Sequence, residues 1–129
     1  MKFLVVGPGA MGCLFAARLK KAGQDVTLLD HKQDRAERIS RTGVRVEGIG
    51  GEFTAPVEAV AGPVSGSPEV VLMCVKANQT ADAARELSGW LGRDALLVTL
   101  QNGLGNVEAL EAVFGRERVV GGVTAEGAT

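Results

Sequence analysis

Three glycines near the start of the chain have the spacing of a loop that binds phosphate. They follow the apolar run 3–6 and open a helix-like stretch. In that setting Gly7 permits a tight turn, Gly9 lets the backbone approach a pyrophosphate, and Gly12 lets the helix pack closely on the strand. The helix N-terminus offers N–H groups and partial positive charge to the phosphates. The loop predicts a dinucleotide site whose first candidate ligands are Gly7, Pro8, Gly9, Ala10, Met11 and Gly12.

An acidic residue is expected about 20 residues after such a loop, at the end of the second strand. Asp30 takes that place. A carboxylate there favours hydrogen bonds to a free ribose diol, as in NAD binding, and repels the 2′-phosphate of NADP. Lys32, Arg35 and a protonated His31 could offset the repulsion, so the residues leave the choice of nucleotide open. A simpler interpretation is a solvated helix start, with Asp30 or Asp34 as its cap.

Two further polar residues follow predicted strands. Taken alone, Lys76 is an ordinary surface lysine, and Asn102 begins a common turn dipeptide. In open α/β sheets, however, ligands lie outside the carboxyl ends of the strands, where the strand order reverses. If both residues face the same crevice as the glycine loop, they aim a cation and an amide at the place where a nicotinamide would lie.

Apolar runs that alternate with helical patterns position these residues. The alternation predicts an α/β fold of Rossmann type, with a doubly wound, mostly parallel sheet in one domain. Strands are predicted at 2–6, 25–30, 69–75, 95–100 and 118–124, and helices at 10–22, 34–41, 78–91 and 106–114. Residues 43–61 alternate around a glycine-rich centre, which predicts an inserted β-hairpin, and 62–68 form a loop. The expected inward faces are Met11, Phe15 and Leu19 in the first helix and Ala81, Ala84, Leu87 and Leu91 in the third.

Composition excludes several classes of function. The 129 residues carry a formal net charge of −1, one Trp and no Tyr, which provides neither a basic field nor a stacking surface for nucleic acid. Cys13 and Cys74 have no CxxC spacing and no neighbouring His, so we expect free buried thiols and no metal site. The apolar run before Gly7 is too short for a secretory signal, and no run is long enough to span a membrane. We expect a cytoplasmic protein without a membrane partner.

Four blocks of sequence resemble the ketopantoate reductase family, also called 2-dehydropantoate 2-reductase. The blocks are residues 7–12, 75–80, 101–105 and 121–128, and their order and spacing match over essentially the whole chain. The resemblance implies NADPH-dependent reduction of 2-dehydropantoate, a small 2-keto acid, to pantoate in the pathway to pantothenate. It also implies that Lys76 and Asn102 reach the nicotinamide-ribose side, that Asn102 touches the substrate, and that Ala128 borders the cofactor.

Two departures from this family concern catalysis and the choice of cofactor. Members carry a second, helical domain that supplies the proton-donor lysine. We expect that domain to lie outside residues 1–129, so no catalytic residue is assigned here and the chain is expected to bind cofactor without turnover. In addition, His31 stands where the family commonly carries an arginine for the 2′-phosphate. The candidate ligands there are Asp30, His31 and Lys32. The resemblance favours NADP(H), while Asp30 keeps NAD(H) possible.

Two alternatives remain at this point. One is a related hydroxy-acid dehydrogenase that shares the nucleotide domain but uses another substrate. The other is a regulatory domain that senses NAD(H) and gates a partner. Lys76 and Asn102 have no necessary role in a sensor, so they favour an enzyme.

Overall fold

A computed structural model of the protein describes residues 1–48, 51–64, 66–99 and 105–121. In chain order, the elements are β1 (Lys2–Val6), α1 (Ala10–Lys21), β2 (Asp25–Leu29), α2 (Gln33–Thr42), β3 (Val44–Val46), β4 (Phe53–Ala55), β5 (Glu58–Val60), β6 (Val70–Met73), α3 (Thr80–Ser88), β7 (Leu96–Thr99), α4 (Asn106–Phe114) and β8 (Val119–Gly121). Short 3₁₀ turns at Ala77–Gln79 and Arg116–Arg118 precede α3 and β8. None of the helices in these ranges is long and apolar enough to cross a membrane.

Six strands form a parallel sheet in the order β5-β2-β1-β6-β7-β8. The chain builds outward from β1 to β2 and β5, and then crosses back to place β6 on the other side of β1. The strand order therefore reverses between β1 and β6, and the segments that follow these two strands lead to helices on opposite faces of the sheet and leave a crevice between them. This confirms the predicted Rossmann-type, doubly wound α/β architecture.

Alternate residues of the central strands supply two cores, one on each face of the sheet. Val5 of β1 packs with α1, α2 and the β3–β4 hairpin. Leu4 and Val6, its neighbours on the same strand, pack with α3 and α4 on the opposite face. Because β1 is buried on both sides, its residues 3–6 are all apolar rather than alternating.

The predicted hairpin is present but shorter than expected. β3 and β4 pair antiparallel, with Val44 opposite Ala55, and the hairpin covers α1. The end of the predicted 43–61 hairpin was wrong, because Glu58–Val60 instead joins the main sheet as a parallel edge strand beside β2. A three-residue strand contains too few residues to show a hydrophobic period, so the sequence pattern could not separate it from the hairpin.

Two predicted helix faces also needed correction. In α1 the buried residues are Gly12, Ala16 and Ala17, whereas the predicted Met11, Phe15 and Leu19 are only half-buried. Gly12 faces inward where the helix approaches the glycine loop closely, and Ala16 and Ala17 pack in the core against β1 and β2. The predicted third helix divides into a 3₁₀ turn and α3, whose buried residues are Thr80, Ala84 and Leu87; Ala81 is exposed and Leu91 lies beyond the helix, half-buried.

Most other boundaries differ by one to three residues from the prediction, and those of α4 match it. The helix predicted at 106–114 is observed as Asn106–Phe114. The strands predicted at 69–75 and 118–124 are observed as Val70–Met73 and Val119–Gly121. Residues 122–124 and the predicted strand end at residue 100 lie outside the described ranges.

Candidate cofactor-binding site

A cleft of about 510 Å³ lies at the carboxyl ends of the strands, where the strand order reverses. Its floor is the start of the glycine loop after β1 and the segment that follows β6. One wall is the turn between β2 and α2, and the other is α3. The residues that line these surfaces include Gly7, Pro8, Gly9, His31, Lys32, Arg35, Lys76, Gln79, Asp82 and Glu86.

The geometry of the loop explains why glycine occupies positions 7, 9 and 12. Gly7 has a φ of +107°, and a Cβ there would lie 2.8 Å from the carbonyl carbon of Cys74 and 2.9 Å from the nitrogen of Val75. A Cβ on Gly12 would overlap the carbonyl oxygen of Gly7, so α1 could not begin so close to the loop. Gly9 is exposed and has no atom within 4 Å of a built Cβ. The loop is therefore tightly packed at Gly7 and Gly12 but open toward the cleft at Gly9, as a phosphate-binding loop requires.

Asp30 follows β2 and is buried behind His31, Lys32 and Arg35, which line the cleft. Its side chain has no exposed surface, and its backbone N–H donates to the Val60 carbonyl oxygen at the end of β5. Arg35 donates from Nε to Oδ2 at 2.5 Å and from Nη2 to Oδ1 at 2.8 Å. The Lys32 backbone N–H also donates to Oδ1, at 2.9 Å. Asp30 thus pairs with α2 and closes the β2–α2 turn rather than capping the helix.

Burial is the largest single influence on the pKa of Asp30 and acts to raise it. The hydrogen bonds from Arg35 and from the Lys32 amide, with the charges of Arg35 and the nearby His31, outweigh that effect. The pKa of Asp30 therefore lies below its usual value of 3.8. At neutral pH, Asp30 and Arg35 form an ion pair, with His31 Nδ1 at 3.9 Å from the carboxylate.

Positively and negatively charged side chains lie on different walls of the cleft. The β2–α2 wall carries His31, Lys32 and Arg35, while α3 contributes the carboxylates of Asp82 and Glu86. Lys76, which is exposed, lies after β6 at the floor. An anionic ligand would therefore meet positive charge along the β2 side and negative charge across from it.

The two cysteines lie beside the glycine loop as free, half-buried thiols. Cys74 lines the cleft, and Cys13 donates its S–H to the Pro8 carbonyl oxygen at 3.2 Å. Burial raises the pKa of the Cys74 thiol to about 11 and also raises that of Cys13. Both thiols are protonated at neutral pH, which makes them poor nucleophiles.

The structure brings together most of the residues that the sequence singled out. Gly7, Pro8, Gly9, His31, Lys32 and Lys76 line one cleft. Ala10, Met11 and Gly12 form the first turn of α1 directly behind the loop. The predicted cofactor and substrate contacts at Asn102 and Ala128 lie outside the described residues.

Sequence reasoning missed the α3 wall, and it treated Arg35 only as a compensating charge. Gln79, Asp82 and Glu86 recur three and four residues apart, which is a helical spacing, and they begin three residues after Lys76. That spacing could have identified a polar helix face next to the predicted site.

Comparison with known proteins agrees with this geometry. The family model described as ketopantoate reductase PanE/ApbA matches residues 3–129. The chain belongs to the ketopantoate reductase family. It is 37% identical over 130 residues to a 2-dehydropantoate 2-reductase of Halobacterium salinarum, covering 99% of this chain and 43% of that protein.

Solved structures of ketopantoate reductases include similar folds. A 2-dehydropantoate 2-reductase from Geobacter metallireducens superposes with a TM-score of 0.85 at 35% identity, over 95% of this chain and 41% of that one. D-mandelate dehydrogenase, solved with NADH and anilino(oxo)acetate, has the same TM-score at 24% identity, over 95% of this chain and 40% of that one. At this identity the similarity shows only a shared fold. The chain thus spans about two fifths of the length of the proteins it matches.

Proposed function

We propose that this chain is the cofactor-binding part of an NADPH-dependent 2-dehydropantoate 2-reductase. The observation that carries the proposal is the family match over residues 3–129 together with a cleft in which the glycine loop and Lys76 meet at the strand-order reversal. The reaction would be reduction of a 2-keto acid to a 2-hydroxy acid. The proton-donor lysine and most of the substrate cleft would come from a further, helical domain.

The residues present fit a dinucleotide. Gly9 leaves open space above the start of α1, where any side chain would stand in the way of a pyrophosphate. The N–H groups of the first helical turn and Lys76 would hold the phosphates and the nicotinamide-ribose side. When bound, NADPH supplies the hydride for the carbonyl carbon. The chain's own part is to bind and orient the nucleotide, with Asn102 and Ala128 as further proposed contacts.

A side-by-side titration with NADPH and NADH, followed by nicotinamide fluorescence at fixed salt, tests the nucleotide part of the proposal. We expect both to bind and NADPH to bind more tightly. If neither binds, the proposed function is wrong. Tighter binding of NADH would instead favour a different dehydrogenase or a nucleotide sensor.

The substrate part is tested on a protein in which this chain is joined to the helical domain. Reduction of 2-dehydropantoate is compared with that of a panel of other 2-oxo acids, including arylglyoxylates. A higher kcat/KM for 2-dehydropantoate supports the proposal. A preference for another 2-oxo acid would identify a related hydroxy-acid dehydrogenase, and no reduction of any of them would favour the sensor.

Replacing Lys76 with glutamine is expected to weaken NADPH binding about tenfold, the effect of losing one charge-assisted contact. The free energy of unfolding should stay within about 0.5 kcal/mol of the parent, since Lys76 is exposed. Fluorescence titration and urea unfolding measure the two quantities. Lys20→Gln is the matched control, because Lys20 is an exposed lysine in the last turn of α1. Equal affinities of the two variants would exclude Lys76 from the site.

A further inference from the structure

The ion pair between Asp30 and Arg35 bears on how the nucleotide is selected. We propose that Arg35, held in place by Asp30, binds the 2′-phosphate of NADPH in this chain, and that Asp30 is a positioning residue rather than a ligand for the ribose diol. This inference rests on the proposed function. It would replace the arginine of the family, where this sequence carries His31, with an arginine from the first turn of α2.

Asp30 is poorly placed to bind a ribose diol. Its carboxylate has no exposed surface and already accepts three hydrogen bonds, two from Arg35 and one from the Lys32 amide. Because no part of the carboxylate is exposed, a ribose hydroxyl could reach it only if Arg35 or the β2–α2 turn moved aside. Displacing Arg35 would leave the fully buried Asp30 carboxylate without its counter-ion, which is strongly unfavourable.

Arg35, in contrast, remains available to a ligand. Its side chain is 33% exposed and lines the cleft. The bonds to Asp30 use two of its five N–H groups, and the other three have no protein partner among the described residues. Because two bonds already fix the plane of the guanidinium, little side-chain entropy is lost when a phosphate binds its remaining edge.

The surrounding charges favour a phosphate on this wall. Asp30 and Arg35 together are neutral, while Lys32 adds a positive charge and His31 adds one when protonated. The acidic residues Asp82 and Glu86 stand on α3 across the cleft, and Asp82 is paired with Arg85. The β2–α2 turn is thus the part of the cleft where the 2′-phosphate, which is separate from the pyrophosphate, would lie close to cations.

The experiment compares the affinities for NADPH and NADH in the parent chain, Arg35→Gln and Arg38→Gln. Arg38 is an exposed arginine on the same helix but not a lining residue of the cleft, so it controls for the loss of one positive charge. We expect Arg35→Gln to lower the ratio of NADPH to NADH affinity about 10- to 100-fold. Arg38→Gln should change the ratio less than about twofold, because solvent and salt screen an exposed charge that does not line the cleft. An unchanged ratio in Arg35→Gln would overturn the proposal.

Asp30→Asn separates positioning from direct recognition. If Asp30 positions Arg35, the substitution releases the guanidinium and lowers the NADPH to NADH ratio. If Asp30 binds the diol and repels the phosphate, the ratio rises, and the proposal is wrong. Thermal unfolding confirms that each variant is folded, and the two arginine variants decide the question if Asp30→Asn does not fold.

Failure of this inference is distinguishable from failure of the proposed function. If the parent chain binds NADPH but Arg35→Gln leaves the ratio of NADPH to NADH affinity unchanged, only this inference is wrong. If the parent chain binds neither dinucleotide, the inference and the proposed function are both wrong. Adenosine 2′,5′-bisphosphate provides a readout that does not depend on the nicotinamide half, and we expect Arg35→Gln to weaken its binding by the same factor as that of NADPH.

Discussion

Gly7→Ala is expected to lower the free energy of unfolding by about 2–5 kcal/mol and to abolish measurable NADPH binding. A φ of +107° disfavours any residue with a Cβ, at about 1–2 kcal/mol. The added Cβ would also lie within 3 Å of backbone atoms of Cys74 and Val75, which cannot rotate away, and forcing them apart costs about 1–3 kcal/mol more. Urea unfolding, followed by fluorescence of the half-buried Trp90, measures the loss.

Two other glycines serve as matched controls for Gly7. Gly23 has a φ of +86° and no atom within 4 Å of a built Cβ, so Gly23→Ala isolates the backbone effect at about 1–2 kcal/mol. Gly9 has a φ of −67° and open space, so Gly9→Ala should fold like the parent yet bind NADPH more weakly. If Gly7→Ala proves no less stable than Gly23→Ala, close approach of the segment after β6 does not constrain the loop.

Asp30→Asn is expected to lower the free energy of unfolding at pH 7 by about 2 kcal/mol. Breaking a fully buried ion pair costs about 3–5 kcal/mol, and the effect is smaller here because a third of the Arg35 side chain is exposed and can turn to solvent. The substitution keeps the size of the side chain, so the loss reports the charge and its hydrogen bonds.

The same variant should change how stability depends on pH. The pKa of Asp30 is lower in the folded chain than its usual value of 3.8, so the folded state binds fewer protons there than the unfolded state. The contribution of Asp30 is therefore fully present above pH 3.8 and is lost as the pH falls through the lower, folded pKa. Between about pH 5 and pH 2, the parent should lose more stability than Asp30→Asn.

Urea unfolding at a series of pH values measures this difference. Asp34→Asn is the matched control, since Asp34 is an exposed carboxylate in the first turn of α2. Between about pH 5 and pH 2, the free energy of unfolding of Asp34→Asn should fall with pH as that of the parent does. If the parent and Asp30→Asn lose the same amount of stability between about pH 5 and pH 2, the Asp30–Arg35 pair does not have the proposed role in stability.

Much of the fold was predictable because the strands that carry it are buried on both faces. The runs that became β1, β6 and β7 are continuously apolar, and turns and helical patterns separate them. Helix α4 was predicted with its observed bounds, between a glycine on each side. These signals are local, so they survive in the sequence without knowledge of the partner elements.

The edge strand β5 and the inward face of α1 were not predictable in the same way. Glu58–Val60 is a strand only because β2 lies beside it, and the strand in turn holds the backbone of Asp30 through the Val60 carbonyl oxygen. In α1 the large apolar residues suggested one face, but contact with the glycine loop at Gly12 and packing on the sheet at Ala16 and Ala17 selected the small residues. Both outcomes depend on the approach of distant segments.

The sequence by itself determined the order of the strands and helices other than β5, the glycine loop, and the presence of an acid and several cations after β2. Only the tertiary structure decided what that acid does. Burial removed the Asp30 carboxylate from solvent and brought Arg35 of α2 and the Lys32 amide onto its two oxygens, and a buried charge is stable only when it is paired. Spacing along a chain reports which residues are near one another in sequence, whereas the side chain that neutralises a buried charge is chosen by packing.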